Sequence, residues 1–329
     1  MPRDVRTLPK AHLHLHLEGS ARPGTIAELL DAAGHDPHDF SQFGDWDGFL
    51  ASYVRAISCI TSLDSLSRLC RELVEDEAAE GVRYTEPHVG PHSYALLYGC
   101  SADDALAAMV DGFRAGSTAT GVEVGLVIGA LRDLPPESAE DAASYAAENA
   151  GNGVVAFGLA GSEHVAGPEL FARAAAIARE AGLLVTPHAG ELAGPESVWG
   201  ALDHMGAHRI AHGVRSVEDP ELLARLARDG IACDVCVTSN VALGVVDSVA
   251  SHPLPQLLAA GVPVTLGSDD QLMFGNRVAD EYELARDAFG LSDETLAAIA
   301  RNSVDASGAT ETTKARLRGE IDDWLSSSD

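Results

Sequence analysis

One phrase recurs along this chain and leaves few folds open to it: a helical stretch rich in Ala, Leu and Glu, a glycine, then a short β-branched or apolar run. Helical candidates at 65–80, 102–118, 168–181, 217–228 and 253–260 are closed by Gly81, Gly121, Gly182, Gly230 and Gly261, the residue type that tolerates the left-handed turn ending a helix. Strand-like runs lie at 11–17, 82–89, 122–130, 154–160, 183–187, 209–212, 232–237 and 262–266, eight in all. Strict alternation makes the strands parallel, because each helix returns the chain to the edge where the next strand begins. Eight such units in 329 residues predict a closed (β/α)₈ TIM-type barrel, one domain over 1–329. A doubly wound sheet would want a glycine-rich phosphate turn after an early strand, and the first run is followed only by Glu18-Gly19-Ser20.

Residues 20–64 are too many for one βα connection, so they predict extra helices over the C-terminal mouth of the barrel. Phe40, Phe43, Trp46, Phe49 and Tyr53 fall here. They suit an apolar lid or ordinary packing between peripheral helices, and their spacing leaves both open.

Charge narrows the partners. Fifty acidic residues against twenty-two basic ones give a net charge of −28, a field that repels phosphate backbones and anionic membranes. Neither nucleic acid nor a membrane is an expected partner. No apolar run reaches membrane-spanning length and Met-Pro-Arg-Asp-Val-Arg opens no apolar signal core, so the expected location is cytoplasmic. Five scattered cysteines form no disulfide framework; Cys233 and Cys236 have a metal-pair spacing but lie in a strand-like run without a second pair, which suits buried thiols better.

A barrel enzyme builds its site from the C-terminal ends of its strands, and polar residues gather there. The first run carries His12, His14 and His16, which in a regular strand would share one face. Neutral imidazoles suit zinc and related metals, and one strand can present half of a four-ligand shell. Other runs end in Gly158-Leu-Ala-Gly161-Ser-Glu163, Pro187-His188-Ala-Gly190-Glu191, Ala211-His212-Gly213, Thr238-Ser239-Asn240 and Gly267-Ser268-Asp269-Asp270. Each alone has a bland reading as packing or turn; together at one edge they point to a site.

In order, Lys10-Ala-His-Leu-His14-Leu-His16-Leu-Glu18-Gly19, Leu159-Ala-Gly161-Ser-Glu163, His188-Ala-Gly-Glu191, Arg209-Ile-Ala-His212-Gly213 and Ser268-Asp269-Asp270 resemble the successive motifs of the adenosine deaminase family. The resemblance covers nearly the whole chain, including Phe274-Gly275 and Glu281-Tyr282. It implies a metal-dependent barrel acting on the 6-amino group of adenine-type purines. His14, His16, His188 and Asp269 would hold one zinc per subunit, leaving a position for water that the metal acidifies. His212 would orient the resulting hydroxide or take its proton, and Glu191, protonated at the outset, would protonate the purine ring nitrogen beside the attacked carbon. Asp270 would hold the imidazole-side ring nitrogen, Gly161 would offer its N–H to the other pyrimidine nitrogen, and Glu18 would meet a ribose hydroxyl.

The chain departs from the family pattern at His12, where an acid is usual, at Val237, Gly267 and Gln271, and through 86–92, where His88 stands in place of the usual arginine. Position on the strand places His12 beneath the metal, outside the ligand set. These departures border the pocket and bear on the substrate. The expected substrate is a small purine nucleoside, adenosine or 2′-deoxyadenosine; the alternative is a 5′-modified relative such as 6-aminodeoxyfutalosine, with adenine less favoured. A catalytically silent purine sensor would have no reason to keep every ligand together with Glu191. A two-metal amidase or phosphotriesterase-like barrel would want a bridging lysine that the strand ends lack.

Overall fold

In a computed structural model, which describes residues 2–327, eight parallel strands form the barrel: β1 (Lys10–His16), β2 (Val82–Val89), β3 (Leu126–Leu131), β4 (Val154–Ala160), β5 (Leu184–Ala189), β6 (Arg209–His212), β7 (Ala232–Val235) and β8 (Val264–Leu266). They pair in chain order from β1 to β8. Closure comes just past β8, where Asp269 N donates to His14 O at 3.1 Å and His16 N donates to Asp269 O at 3.1 Å. The closing hydrogen bonds thus fall on the residues expected to carry the chemistry. Helices cover the outside, as apolar strand faces require in a parallel sheet. No helix among the described residues is long and apolar enough to cross a membrane.

Local chemistry explains where the elements differ from their expected bounds. The third strand-like run is broken at Gly125, leaving a two-residue strand, Glu123–Val124, beside β2 before β3 begins. A side chain at Gly125 would strike Tyr84 Oη at 2.3 Å, so this backbone lies too close to its neighbour to carry one. The expected helix 217–228 starts at Pro220, whose missing N–H is harmless only in a first turn, with Asp219 accepting from Glu221 N and Leu222 N.

Below the strand ends the barrel interior holds paired charged side chains. Arg209 on β6 is fully buried between Glu86 on β2 (2.9 Å) and Asp234 on β7 (2.5 Å), and it donates to Ala306 O at 3.0 Å. The remaining carboxylate oxygens are also met: Gly308 N donates to Glu86 and Thr265 Oγ1 to Asp234. A buried charge persists only when so paired and hydrogen-bonded. This layer is the floor of the site, for Asp234 O accepts from His14 Nδ1 at 3.1 Å.

Residues 20–64 form the helices Pro23–Ala32 and Trp46–Ser58. In the second, Trp46, Phe49, Leu50, Tyr53, Val54 and Ile57 recur at helical spacing and wall the cavity at the barrel mouth, as an apolar lid would. Phe49 also stacks on Phe274 with ring centroids 5.5 Å apart, so the helix packs on the periphery as well.

Candidate active site

Four donors converge at the strand ends. His14 and His16 come from β1, His188 from β5 and Asp269 from the turn after β8, and one ligand atom of each lies within 4.8 Å of all the others. His14 Nδ1 donates to Asp234 O and His188 Nδ1 to Leu159 O, at 3.1 and 3.0 Å, which places the ring hydrogens on the Nδ1 atoms. Their Nε2 atoms then bear lone pairs, and these face one another across 3.1 Å. Asp269 Oδ1 lies 3.4 Å from His14 Nε2 and 3.3 Å from His16 Nε2, while Ser239 Oγ donates to Oδ2 at 2.6 Å. Lone pairs so opposed repel unless a cation lies among them, so the donor set fits a metal ion. A divalent cation held there supplies Lewis acidity that lowers the pKa of a water towards neutrality.

The protonic groups stand beside this cluster. His212 ends β6 and Glu191 follows β5, with His212 Nε2 3.4 Å from Glu191 Oε2 and 4.0 Å from Asp269 Oδ2. Burial, and then the charges of Asp269, Glu163 and Asp270, hold the Glu191 carboxyl well above the ordinary glutamate value, so it keeps its proton. Its Oε1 is buried and, among the described residues, has no hydrogen-bond partner; the same holds for Asp270 Oδ1. Burial and then the neighbouring His14 push His212 down to about 3. Among the described residues only His212 (φ 64°) and Asp269 (φ 59°) adopt a left-handed backbone without being glycine, strain that gathers at functional sites.

A cavity of about 350 Å³ opens above, walled by the helix Trp46–Ser58, by Gly161, Glu191, His212, Asp269 and Asp270, and by Asp133 near the rim. Among the described residues no lysine or arginine lines it. Of the expected substrate contacts, Asp270 and Gly161 lie on this wall and Glu18 does not. Glu18 is buried behind it, with Oε2 accepting from Tyr53 Oη at 2.7 Å and Oε1 from Tyr94 Oη at 2.5 Å. Gly19 admits Asp270 against its backbone, since a Cβ there would sit 1.8 Å from Asp270 Oδ1.

His12 does not lie beneath the metal site. Between His12 and Leu15, β1 advances three residues while β2 advances two, a bulge that reverses the alternation of side chains. His12 therefore turns to the helix Leu63–Ala79, donating from Nδ1 to Glu77 Oε2 at 2.7 Å, while Nε2 accepts from Ser268 N at 3.0 Å. Gln271 joins this group, donating to Ser268 Oγ and Glu77 Oε1. His88, by contrast, sits beside the cluster, its ring centroid 5.0 Å from that of His16 and 5.6 Å from that of His188, kept neutral first by burial. Cys236 borders the far edge of His14, 3.5 Å from Nδ1, and burial keeps its thiol protonated.

Glu163 lies in the Gly158–Glu163 motif, and the resemblance implies no role for it. It is buried and gathers the backbone N–H groups of Gly190 (2.9 Å), Glu191 and Leu192 (both 2.8 Å), so it shapes the turn that carries Glu191. Glu281 does the same after β7, accepting from Val237 N at 2.8 Å, from Thr238 and from Asn276. Their place in the quoted motifs was the available signal.

A family model for adenosine deaminase matches residues 9–324. The chain belongs to the adenosine deaminase family. It is 44% identical over 334 residues to a putative adenosine/adenine deaminase of Streptomyces virginiae, covering 98% of each chain. An adenine deaminase of Mesorhizobium japonicum is 38% identical, with 95% of this chain and 98% of the relative covered. An aminodeoxyfutalosine deaminase of Streptomyces coelicolor is also 38% identical, over 99% and 89%. Among solved structures, the adenine deaminase of Arthrobacter aurescens superposes with a TM-score of 0.90 at 30% identity, covering 97% and 99%. A Burkholderia ambifaria amidohydrolase with bound Zn gives 0.90 at 29%, covering 98% and 92%. The chain is accordingly a (β/α)₈ hydrolytic deaminase of the adenosine/adenine class, cleaving a C–N bond.

Proposed function

We propose that this deaminase acts on 6-aminopurine nucleosides, converting adenosine and 2′-deoxyadenosine to the 6-oxo nucleosides with release of ammonia. The observation that carries the reading is Glu191. It is a buried carboxyl on the cavity wall, held well above the ordinary glutamate value first by burial, with one oxygen unpartnered among the described residues and the other 3.4 Å from His212 Nε2, beside the donor cluster. A purine placed with its amino-bearing carbon over the cluster takes the Glu191 proton at the adjacent ring nitrogen, which makes that carbon open to water. Asp270 Oδ1 serves the imidazole-side nitrogen, and the Gly161 N–H the remaining pyrimidine nitrogen. His14, His16, His188 and Asp269 are assigned to zinc, one per subunit, on ligand type.

The nucleoside rather than the base is favoured by the cavity, which runs from the donor cluster to Trp46, Leu50, Val54 and Ile57 and would be left partly unfilled by adenine. One observation favours adenine: Glu18, the residue expected to meet ribose, has both oxygens taken by Tyr53 and Tyr94. Turnover of zinc-loaded protein on adenosine, 2′-deoxyadenosine and adenine, followed by loss of the adenine absorbance band and by ammonia release, separates the two. A kcat/KM at least about tenfold higher on the nucleosides is expected, about 1.4 kcal/mol of transition-state discrimination. The reverse order replaces the nucleoside with the base, and no ammonia from any of the three overturns the assignment.

A further inference from the structure

We infer that Asn240 and His252 are positioning residues that fix which ring nitrogen of His212 carries its hydrogen, so that His212 presents an N–H and not a lone pair to the reacting face. The relay begins at a backbone group, whose direction of donation cannot be exchanged. Leu254 N donates to His252 Nδ1 at 3.1 Å, so that nitrogen is an acceptor and the ring carries its hydrogen on Nε2. A cationic His252 would set a second N–H against Leu254 N–H.

His252 Nε2 lies 3.1 Å from Asn240 Oδ1, and as a donor it can face only the oxygen of that amide. The amide is thereby oriented, and its Nδ2 falls 3.2 Å from His212 Nδ1. An amide NH₂ can only donate, so His212 Nδ1 accepts. The neutral His212 ring then carries its hydrogen on Nε2, the atom 3.4 Å from Glu191 Oε2 and 4.0 Å from Asp269 Oδ2. All three side chains are buried, so water does not substitute for any link. Turning the amide over would oppose two donors at His252, whose tautomer Leu254 N fixes. The relay joins the helix Val237–Ala242, which follows β7, to the turn after the 3-10 segment Val249–Ser251, and on to the end of β6.

The consequence bears on mechanism. Two roles were open to His212, orienting the attacking oxygen or removing its proton. A neutral ring with hydrogen on Nε2 has no lone pair there to receive a proton, so it orients by donation. Its left-handed backbone, shared with Asp269, places the ring between the relay and the cluster.

Zinc-loaded protein labelled with ¹⁵N-histidine tests this by long-range ¹H–¹⁵N correlation, with His212 signals identified by their loss in His212→Gln. The expected pattern is a bare Nδ1 and a protonated Nε2. Asn240→Asp presents a carboxylate to Nδ1 and is expected to transfer the hydrogen there, with kcat reduced roughly 10–100-fold and KM nearly unchanged. His252→Leu frees the amide and mixes the two tautomers, whereas His252→Gln, which can accept from Leu254 N and donate to Asn240, restores the single form. A hydrogen on Nδ1 in the unaltered protein, or one that stays on Nε2 in Asn240→Asp, overturns the inference. The kinetic arm rests on the proposed deamination; the spectrum does not, so failure of one is distinguishable from failure of the other.

Discussion

Replacing Glu191 by Gln isolates the proton from everything else that the residue does. Both side chains have the same shape, and a carboxyl that is already neutral loses no charge on becoming an amide. The backbone N–H of Glu191, held by Glu163 at 2.8 Å, is untouched. The one side-chain contact at risk, Oε2 to His212 Nε2 at 3.4 Å, is too long to be a strong hydrogen bond, and Oε1 has no partner to lose. The variant should therefore keep its stability to within about 1 kcal/mol, a shift in Tm of roughly 2–4 °C, and keep its full metal content. What disappears is general-acid assistance, typically worth about 10²–10⁴ in rate, or roughly 3–5 kcal/mol of barrier. The assay is kcat by ammonia release, beside metal analysis and thermal melting on the same preparation. A kcat within tenfold of the unaltered protein would refute the assignment of Glu191 as acid. Loss of metal in step with activity would refute the claim that it stands outside the ligand set.

Other outcomes follow from the same geometry. His12→Ala should retain metal that His14→Ala loses, because the bulge in β1 turns His12 to Glu77; equal losses on metal analysis would return His12 to the ligand set. Arg209→Met leaves Glu86 and Asp234 buried without their partner and should cost about 3–5 kcal/mol in urea unfolding, and a cost below about 1 kcal/mol would show the ion layer to be inert. In metal-free protein Glu191 and Asp270, both raised first by burial, keep protons that the unfolded chain releases above 4.5 and 3.8. The folded state binds more protons, so their stabilisation is complete at low pH and is lost as pH rises through their elevated folded values. Melting between about pH 5 and about pH 8 should fall less steeply in Glu191→Gln than in the parent, and parallel slopes would contradict the shift.

How far the sequence could be read depended on the range of the forces involved. The eight βα units were legible because helix periodicity, terminal glycines and β-branched runs are local signals. The candidate site was legible one level up: a parallel barrel delivers every strand end to one rim, where polar residues gather, and the resemblance to the family picks out His14, His16, His188, His212 and Asp269 among them. What failed depended on contacts between distant segments. The alternation of His12, His14 and His16 is broken by register against β2, which nothing in the β1 sequence announces. Glu18 follows its strand as expected, but residues 35 and 76 positions away claim its oxygens. His252 was not singled out at all, because its partner Asn240 is turned towards it only by the fold.

One question is whether a cation in the cluster would undo the protonation on which the Glu191 assignment depends. A positive charge beside Asp269 offsets the very carboxylate that helps to hold the Glu191 proton in place, so it acts to release that proton. The order of causes decides the matter. Burial is the largest influence on Glu191, and Asp269 comes after it, followed by Glu163 and Asp270. Burial is unaffected by a cation that His14, His16, His188 and Asp269 already surround, and Glu163 is tied to the Gly190–Leu192 backbone rather than to the cluster. The pressure from Glu163 persists, and a purine filling the cavity deepens the desolvation. Burial therefore still favours the proton on Glu191 when a cation is held in the cluster, and the shape of the pocket is what supplies that preference.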